Sequence, residues 1–310
     1  MTRLVLLAAL ASCSSSKQDP PSENPDAATT GEPDAPASSA TCEGKQAQPA
    51  DQTWTITVGG VSRVAKVHVP PGYSPSKATP LIVNVHGRTH NATGQQNLSH
   101  AIAKSDAAGF VVIHPESSTS PTAWNAGGCC DPATTNNVDD IGFMTKLLDE
   151  AEGRLCIDAD RVYFMGLSNG GYLSHRAGCQ LANRVAAIAP VAANNVFASC
   201  APARPMPVWL AAGTADPLVN YSFIGPSIDF WAGKNGCTTT TTTYTNGDTS
   251  CVTHGGCTNG ADVVLCTVTD GGHQWPGGDA LPFLGKKTDD IIATDAIWEF
   301  FAAHPRVIAP

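Results

Sequence analysis

Arg161-Val162-Tyr163-Phe164-Met165-Gly166-Leu167-Ser168-Asn169-Gly170-Gly171 is the stretch whose reading decides the fold. A short run of branched and aromatic residues leads into Gly166-Leu167-Ser168-Asn169-Gly170, and residues 172–181 beyond it suit a helix. A serine in so sharp a strand-to-helix turn needs close neighbours without side chains, and the turn leaves its hydroxyl exposed at a helix N-terminus. The bare pattern G-x-S-x-G is common, and its setting between strand and helix is what gives it weight. An alcohol is a weak nucleophile until a base removes its proton, so the reading requires a histidine and an acid further along the chain.

Both are present in the order that a strand-turn-helix nucleophile of this kind uses, serine then acid then histidine. The strand-like residues 207–212 run into Gly213-Thr214-Ala215-Asp216-Pro217, which puts Asp216 just past the C-terminal end of a strand, where α/β enzymes gather reactive groups. An Asp before Pro also forms turns, so Asp216 rests on its place in the order. Of nine histidines, only His254, His273 and His304 follow it. His304 falls in the last helical stretch and His254 in a cysteine-rich loop. His273 follows the strand-like residues 263–268 in the glycine-lined Asp270-Gly271-Gly272-His273-Gln274-Trp275-Pro276-Gly277-Gly278, which can reach across the strand ends. The tetrahedral intermediate of acyl transfer also needs two preset N–H donors. Asn169, next to the serine, supplies one, and the backbone of Arg88, or of Thr89 beside it, is expected to supply the other from His86-Gly87-Arg88-Thr89. His86 itself reads as a structural turn residue. Trp275, two residues past the base, is the first candidate for a wall of the substrate cleft, followed by Trp124 and Tyr221.

Working outward, apolar runs rich in branched residues recur at 53–58, 64–69, 81–85, 110–113, 162–165, 185–192, 208–212 and 263–268 and read as strands. Helical spacing lies between several of them, as at Ile141, Met144, Leu148 and Ala151, and again over 290–303. Asp139 and Asp140 read as helix-capping residues at the start of the first of these. The first two strands lack a helix between them and are expected to pair as an antiparallel hairpin around Gly59-Gly60. The others imply an α/β fold, a mostly parallel sheet with helices on both faces. No repeat is visible, and the threonine run 238–243 is too short for a separate module.

At 310 residues and 42% hydrophobic composition, one domain over 42–310 is the default. A formal net charge of −9 argues against a nucleic-acid partner, which would require a basic face. Met1-Thr2-Arg3, the apolar residues 4–11 and Ser12-Cys13 form a signal peptide, and Leu10-Ala11-Ser12-Cys13 resembles a bacterial lipobox with Cys13 as the acylated residue. Residues 14–41, rich in Ser, Pro, Ala, Thr and acidic residues, read as a disordered tether. An extracytoplasmic lipoprotein, monomeric and touching the membrane through its anchor alone, is the expectation. The other ten cysteines form an even set suited to an oxidising compartment and a disulfide-braced fold. Their connectivity cannot be deduced, although the crowding of Cys237, Cys251, Cys257 and Cys266 suggests two local bridges. No Cys-x-x-Cys pair or nearby His pair offers tetrahedral spacing, so no metal site is expected.

Taken together, His86-Gly87, Trp124-Asn125 with Cys129-Cys130, Val138-Asp139-Asp140-Ile141-Gly142-Phe143, Gly166 to Gly171, and His273-Gln274-Trp275-Pro276-Gly277 resemble the polyhydroxybutyrate depolymerase/feruloyl esterase (LpqC-like) family, over roughly residues 53–305. The resemblance implies an α/β-hydrolase fold without a cofactor that cleaves carboxylic esters, often phenolic or acetyl esters of xylan or polyester. Arg88 stands where a cysteine or smaller residue is common, and Asp270 precedes Gly271-Gly272, which bears on pocket preference. The resulting expectation is a secreted serine esterase on feruloyl or acetyl esters of plant polysaccharide. A polyhydroxybutyrate depolymerase is the alternative. A serine peptidase, or a carbohydrate-binding lipoprotein on an inactive hydrolase scaffold, is a more distant one.

Overall fold

Strands buried on both faces read as continuous apolar runs, and the centre of this protein is built from them. In the computed structural model, which describes residues 42–307, the strands β3 (Thr79–Val85), β6 (Ala187–Val191) and β7 (Val208–Gly213) are buried at every position. With β4 (Val111–Pro115), β5 (Ile157–Leu167) and β10 (Val263–Val268) they form a parallel core ordered β4-β3-β5-β6-β7-β10. The signal peptide, Cys13 and the tether lie outside the described residues.

Side chains alternate between the faces along each strand. Leu81, Val83 and Val85 of β3 point into one apolar cluster, together with Phe143, Met144 and Leu147 of α3 (Asp140–Arg154), Leu173 of α4 (Asn169–Gln180) and Trp231 of α5 (Ile224–Asn235). Ile82 points the other way, into a cluster with Leu98 of α1 (Ala92–Ser99), Ala101 of α2 (Ala101–Ala108), and Ile297 and Phe301 of α6 (Ala293–Ala303). The sheet is therefore covered on both sides. No described helix is long and apolar enough to cross a membrane.

Antiparallel strands extend both edges. β1 (Asp51–Val58) and β2 (Val61–His68) form the hairpin expected around Gly59-Gly60, both at positive φ, and β2 joins the core through β4. At the other edge the sequence reading stops short. β8 (Thr239–Asn246) and β9 (Thr249–Gly255) add a second hairpin beyond β10, so the threonine run is an edge strand, exposed along its whole length. Threonine favours a pleated backbone without needing burial. Two local disulfides, Cys237–Cys257 and Cys251–Cys266, fasten this hairpin, and the second links residues directly opposite one another on β9 and β10. Cys42–Cys156, Cys179–Cys200 and the adjacent pair Cys129–Cys130 complete the set.

Asp139 caps α3, accepting from Gly142 N at 2.8 Å. Asp140 does something else, which corrects the capping reading. It is fully buried, pairs with Arg63 at 2.7 Å and accepts from Asn125 N at 2.7 Å. Burial pushes its carboxyl pKa up despite the guanidinium beside it. Arg63 lies over the Phe143 ring, 4.1 Å from its centroid.

Two buried histidines give the fold an acid sensitivity. His175 accepts from Trp231 Nε1 at 3.0 Å, and His114 accepts from Asn84 Nδ2 at 3.2 Å. Burial holds their pKa values down to about 4 and about 3, so both are neutral in the folded protein. The unfolded chain protonates each near pH ~6.5. Between that pH and the folded values the unfolded state binds more protons, so stability is complete above pH ~6.5 and falls with acid by up to ~1.4 kcal/mol per pH unit for each histidine. Chemical denaturation from pH 6.5 to 4.5 should show this slope. His175→Gln, which keeps an acceptor for Trp231, should reduce it by about one histidine's share, and an unchanged slope would refute the assignment.

Candidate active site

Because β5, β6, β7 and β10 are parallel, their C-terminal ends share one edge of the sheet, and the chemistry-bearing residues collect there. Ser168 leaves β5 at φ 55° and ψ −121°, a conformation costing on the order of 1–3 kcal/mol for a residue with a side chain. The turn is held by Ser168 N donating to Val191 O at 2.8 Å and Tyr172 N donating to Ser168 O at 2.9 Å. A Cβ on Gly170 would stand 2.1 Å from Val85 O, and one on Gly166 would stand 2.6 Å from the same oxygen. Gly166 and Gly170 are thus demanded by the approach of β3, while a Cβ on Gly171 would stand 2.6 Å from Ala193 Cβ. Ser168 itself is half-buried at the N-terminus of α4.

Asp216 and His273 meet on the same edge. His273 Nδ1 donates to Asp216 Oδ2 at 2.7 Å, and the two side chains are only 3% and 2% exposed. The other carboxylate oxygen of Asp216 accepts from Leu218 N and Val219 N, both at 2.8 Å, which fixes the carboxylate plane. The two loops are stitched together by Ala215 N to Gly271 O at 2.9 Å and Asp270 N to Thr214 Oγ1 at 2.8 Å. His273 N donates to Leu284 O at 2.7 Å. Gln274 brackets the adjoining loop, donating to Leu281 O and Gly285 O and accepting from Leu281 N. With Nδ1 committed to the carboxylate, Nε2 is the ring nitrogen left to handle a proton. His304 bonds to Phe300 O and His254 lies on β9, away from this pair.

The turn after β3 packs against the serine, since a Cβ on Gly87 would stand 3.5 Å from Ser168 Cβ. Arg88 follows directly. Its side chain donates from Nε to Asp131 O at 2.9 Å. Thr89 drops out as an oxyanion donor, because its N–H is spent on Thr122 O at 2.8 Å. His86 is buried, accepts from Ser117 N at 3.2 Å and bonds Gly87 O, a structural turn residue. Asn169 carries a feature the sequence did not signal. Its side chain accepts from Trp124 N at 2.7 Å and donates to Trp124 O at 3.0 Å.

The cleft-wall assignments need correction. Trp275 is fully buried with its indole N–H on Thr294 Oγ1 at 3.0 Å, and Trp124 is fully buried with its own on His86 O at 2.9 Å. Neither presents a face to a ligand. Tyr221 is half-buried and its hydroxyl bonds Thr267 Oγ1 at 2.6 Å. Exposed large apolar side chains on the segments carrying the acid and the base include Leu218, Phe223 and Phe283. Phe283 is fully exposed, at φ 66°, one residue before the carbonyl that receives His273 N. Isolated apolar residues in loops carry no periodicity, so nothing in the sequence marked them. Cavities of about 240 Å³ and 410 Å³ lie elsewhere, beside β2 and between β9 and α6, and neither is lined by Ser168, Asp216 or His273.

Among known proteins, no family model matches the chain. It is 34% identical over 229 residues to feruloyl esterase B of Piromyces equi, covering 67% of this chain and 42% of that protein. It is 29% identical over 187 residues to the bifunctional acetylxylan esterase/xylanase XynS20E of Neocallimastix patriciarum, covering 60% of this chain and 26% of that one. The chain thus spans less than half the length of these two relatives. Of solved structures, an acetyl xylan esterase from Aspergillus awamori matches with a TM-score of 0.63 at 15% identity, over 81% of this chain and 99% of the other, a likeness of α/β-hydrolase fold.

Proposed function

Because the chain belongs to the feruloyl esterase-like α/β-hydrolases, we propose that it hydrolyses carboxylic esters of plant polysaccharide by acyl transfer through Ser168. The observation that carries this reading is the buried Asp216–His273 pair, 2.7 Å apart, on the same sheet edge as a serine held at positive φ. In the proposed reaction Ser168 Oγ attacks the ester carbonyl while His273 Nε2 takes its proton. The oxyanion is held by the backbone N–H groups of Asn169 and Arg88. Collapse of the intermediate breaks the acyl C–O bond, His273 returns the proton to the departing alcohol, and a water molecule repeats the sequence to free the acid and restore the serine. Asp216 keeps the imidazole in the required tautomer and stabilises the imidazolium. Export, with Cys13 as a lipid-bearing residue, fits an enzyme acting on a large insoluble polymer.

The relatives favour feruloyl and acetyl esters as substrates. Exposed Leu218, Phe223 and Phe283 give a second reading some footing, since adsorption to a polyester needs exposed apolar surface. The deciding measurement is kcat/KM of the purified protein for methyl ferulate, acetylated xylan and hydroxybutyrate oligomers. Higher values for ferulate or acetylxylan are expected. A strong preference for the hydroxybutyrate series would replace the substrate and leave the acyl-transfer chemistry in place.

A further inference from the structure

We propose that residues 122–131, which contain the Cys129–Cys130 disulfide between adjacent residues, are a positioning element that sets both oxyanion donors at once, and that the Asn169 carboxamide is the handle by which it does so. The inference rests on the acyl-transfer reading above. The two donors come from chain segments far apart in sequence, Arg88 after β3 and Asn169 after β5. Their spacing must be held to a fraction of an ångström if both are to meet one oxygen.

One loop touches both. On the Arg88 side, Arg88 Nε donates to Asp131 O at 2.9 Å, Thr89 N to Thr122 O at 2.8 Å, Thr122 Oγ1 to His90 O at 2.6 Å and Trp124 Nε1 to His86 O at 2.9 Å. These bonds run from both ends of the loop to the turn that carries Arg88. On the Asn169 side, the side-chain amide pairs with the N–H and the carbonyl of one residue, Trp124, so that residue 169 can neither rotate nor slide relative to the loop. The loop is itself anchored. Asn125 N donates to buried Asp140, Asn125 Nδ2 donates to Val138 O at 3.1 Å, and Arg176 donates to Asn125 O at 2.8 Å.

The disulfide enters through a shared acceptor. Cys130 N donates at 3.1 Å to the Trp124 carbonyl that also receives Asn169 Nδ2. Ala126 N donates back to Cys129 O, which closes residues 124–130 into a compact ring of chain. The cysteine pair is half-exposed, with Gly127 and Gly128 exposed beside it, whereas residues 123–126 are buried, so a covalent link stiffens a stretch that packing holds less. The ring is closed by these two hydrogen bonds, and the disulfide fixes the Cys129–Cys130 peptide group that makes both of them.

A positioning role predicts loss in the transition state and not in ground-state binding. The test uses Asn169→Ala, which removes both bonds to Trp124, and a Cys129→Ser/Cys130→Ser double variant, which leaves Asn169 and both donors untouched. Each is measured for kcat and KM on p-nitrophenyl acetate and for inhibition by phenylboronic acid, whose tetrahedral serine adduct draws on the same donors. We expect Asn169→Ala to lower kcat about 10- to 100-fold, with KM within about twofold and boronate inhibition weakened in parallel. The cysteine variant should show the same pattern at roughly three- to tenfold. The two changes lie at different places, so one misfolded variant leaves the other to decide. Full kcat in the folded variants, or a loss confined to KM with boronate inhibition unchanged, overturns the proposal. Ser168→Ala, assayed in parallel, separates the two levels. If it is inactive while Asn169→Ala keeps wild-type kcat, this inference alone falls; if it is as active as wild type, the acyl-transfer reading falls and takes this inference with it.

Discussion

Ser168→Ala should lower kcat on p-nitrophenyl acetate by roughly 10⁵- to 10⁶-fold, or about 7–8 kcal/mol of barrier. What remains should be the catalysis that bound substrate and oxyanion donors provide without a nucleophile. The substitution is a clean one. Alanine keeps the Cβ, so the strain of the positive φ is unchanged. The bonds that hold the turn, Ser168 N to Val191 O and Tyr172 N to Ser168 O, are made by the backbone. No protein partner of Ser168 Oγ is seen among the described residues. The unfolding free energy should therefore stay within about 0.5 kcal/mol of wild type, and a large activity loss can be assigned to the missing hydroxyl. A variant that is equally stable and retains more than a tenth of the activity would remove Ser168 from the reaction.

How much of this site could be read in advance depended on the range of the forces involved. The parallel strands were legible because burial on both faces makes a strand apolar throughout, as in β3 and β6. The order serine, acid, histidine was legible because each residue follows a strand that ends on the same edge, and the fold does bring Asp216 and His273 within 2.7 Å. The β8–β9 hairpin was not. Its threonines are exposed along the strand and show no alternation, and its place is fixed by two disulfides whose pairing only the fold reveals.

The errors among site residues share a cause. Trp275 stands two residues from His273 in sequence and Trp124 lies in the loop that bonds Asn169, yet each indole turns inward to an acceptor from elsewhere in the chain, His86 O for Trp124 and Thr294 Oγ1 for Trp275. Asp140 looked like a cap because its true partner, Arg63, is 77 positions away. Thr89 and Arg88 are adjacent donors on paper, and it takes the loop bearing Thr122 to consume one of them. In each case a polar group found its partner at a distance along the chain that sequence spacing does not register.

Asp216→Asn should lower kcat about 10³- to 10⁴-fold at neutral pH with KM little changed. The reason is a proton's position. In the wild type, Asp216 Oδ1 is occupied by two backbone N–H groups, from Leu218 and Val219, so only Oδ2 faces His273, and it accepts from Nδ1. Asparagine would keep its carbonyl oxygen on the two backbone donors, since its NH₂ cannot accept from them. The NH₂ would then face His273 Nδ1 and make that nitrogen an acceptor, which moves the ring proton to Nε2. An imidazole protonated at Nε2 cannot take the proton of Ser168. The imidazolium, if formed, would also lose its neighbouring negative charge in a site where both side chains are almost wholly buried. The geometry would survive while the chemistry stopped, so a fold check by near-ultraviolet dichroism should show no change alongside the kinetic loss. Asp216→Ala, which leaves Nδ1 without a protein partner, should lose activity as well but need not impose the wrong tautomer. If Asp216→Asn stayed within tenfold of wild type, a different acid would have to orient His273.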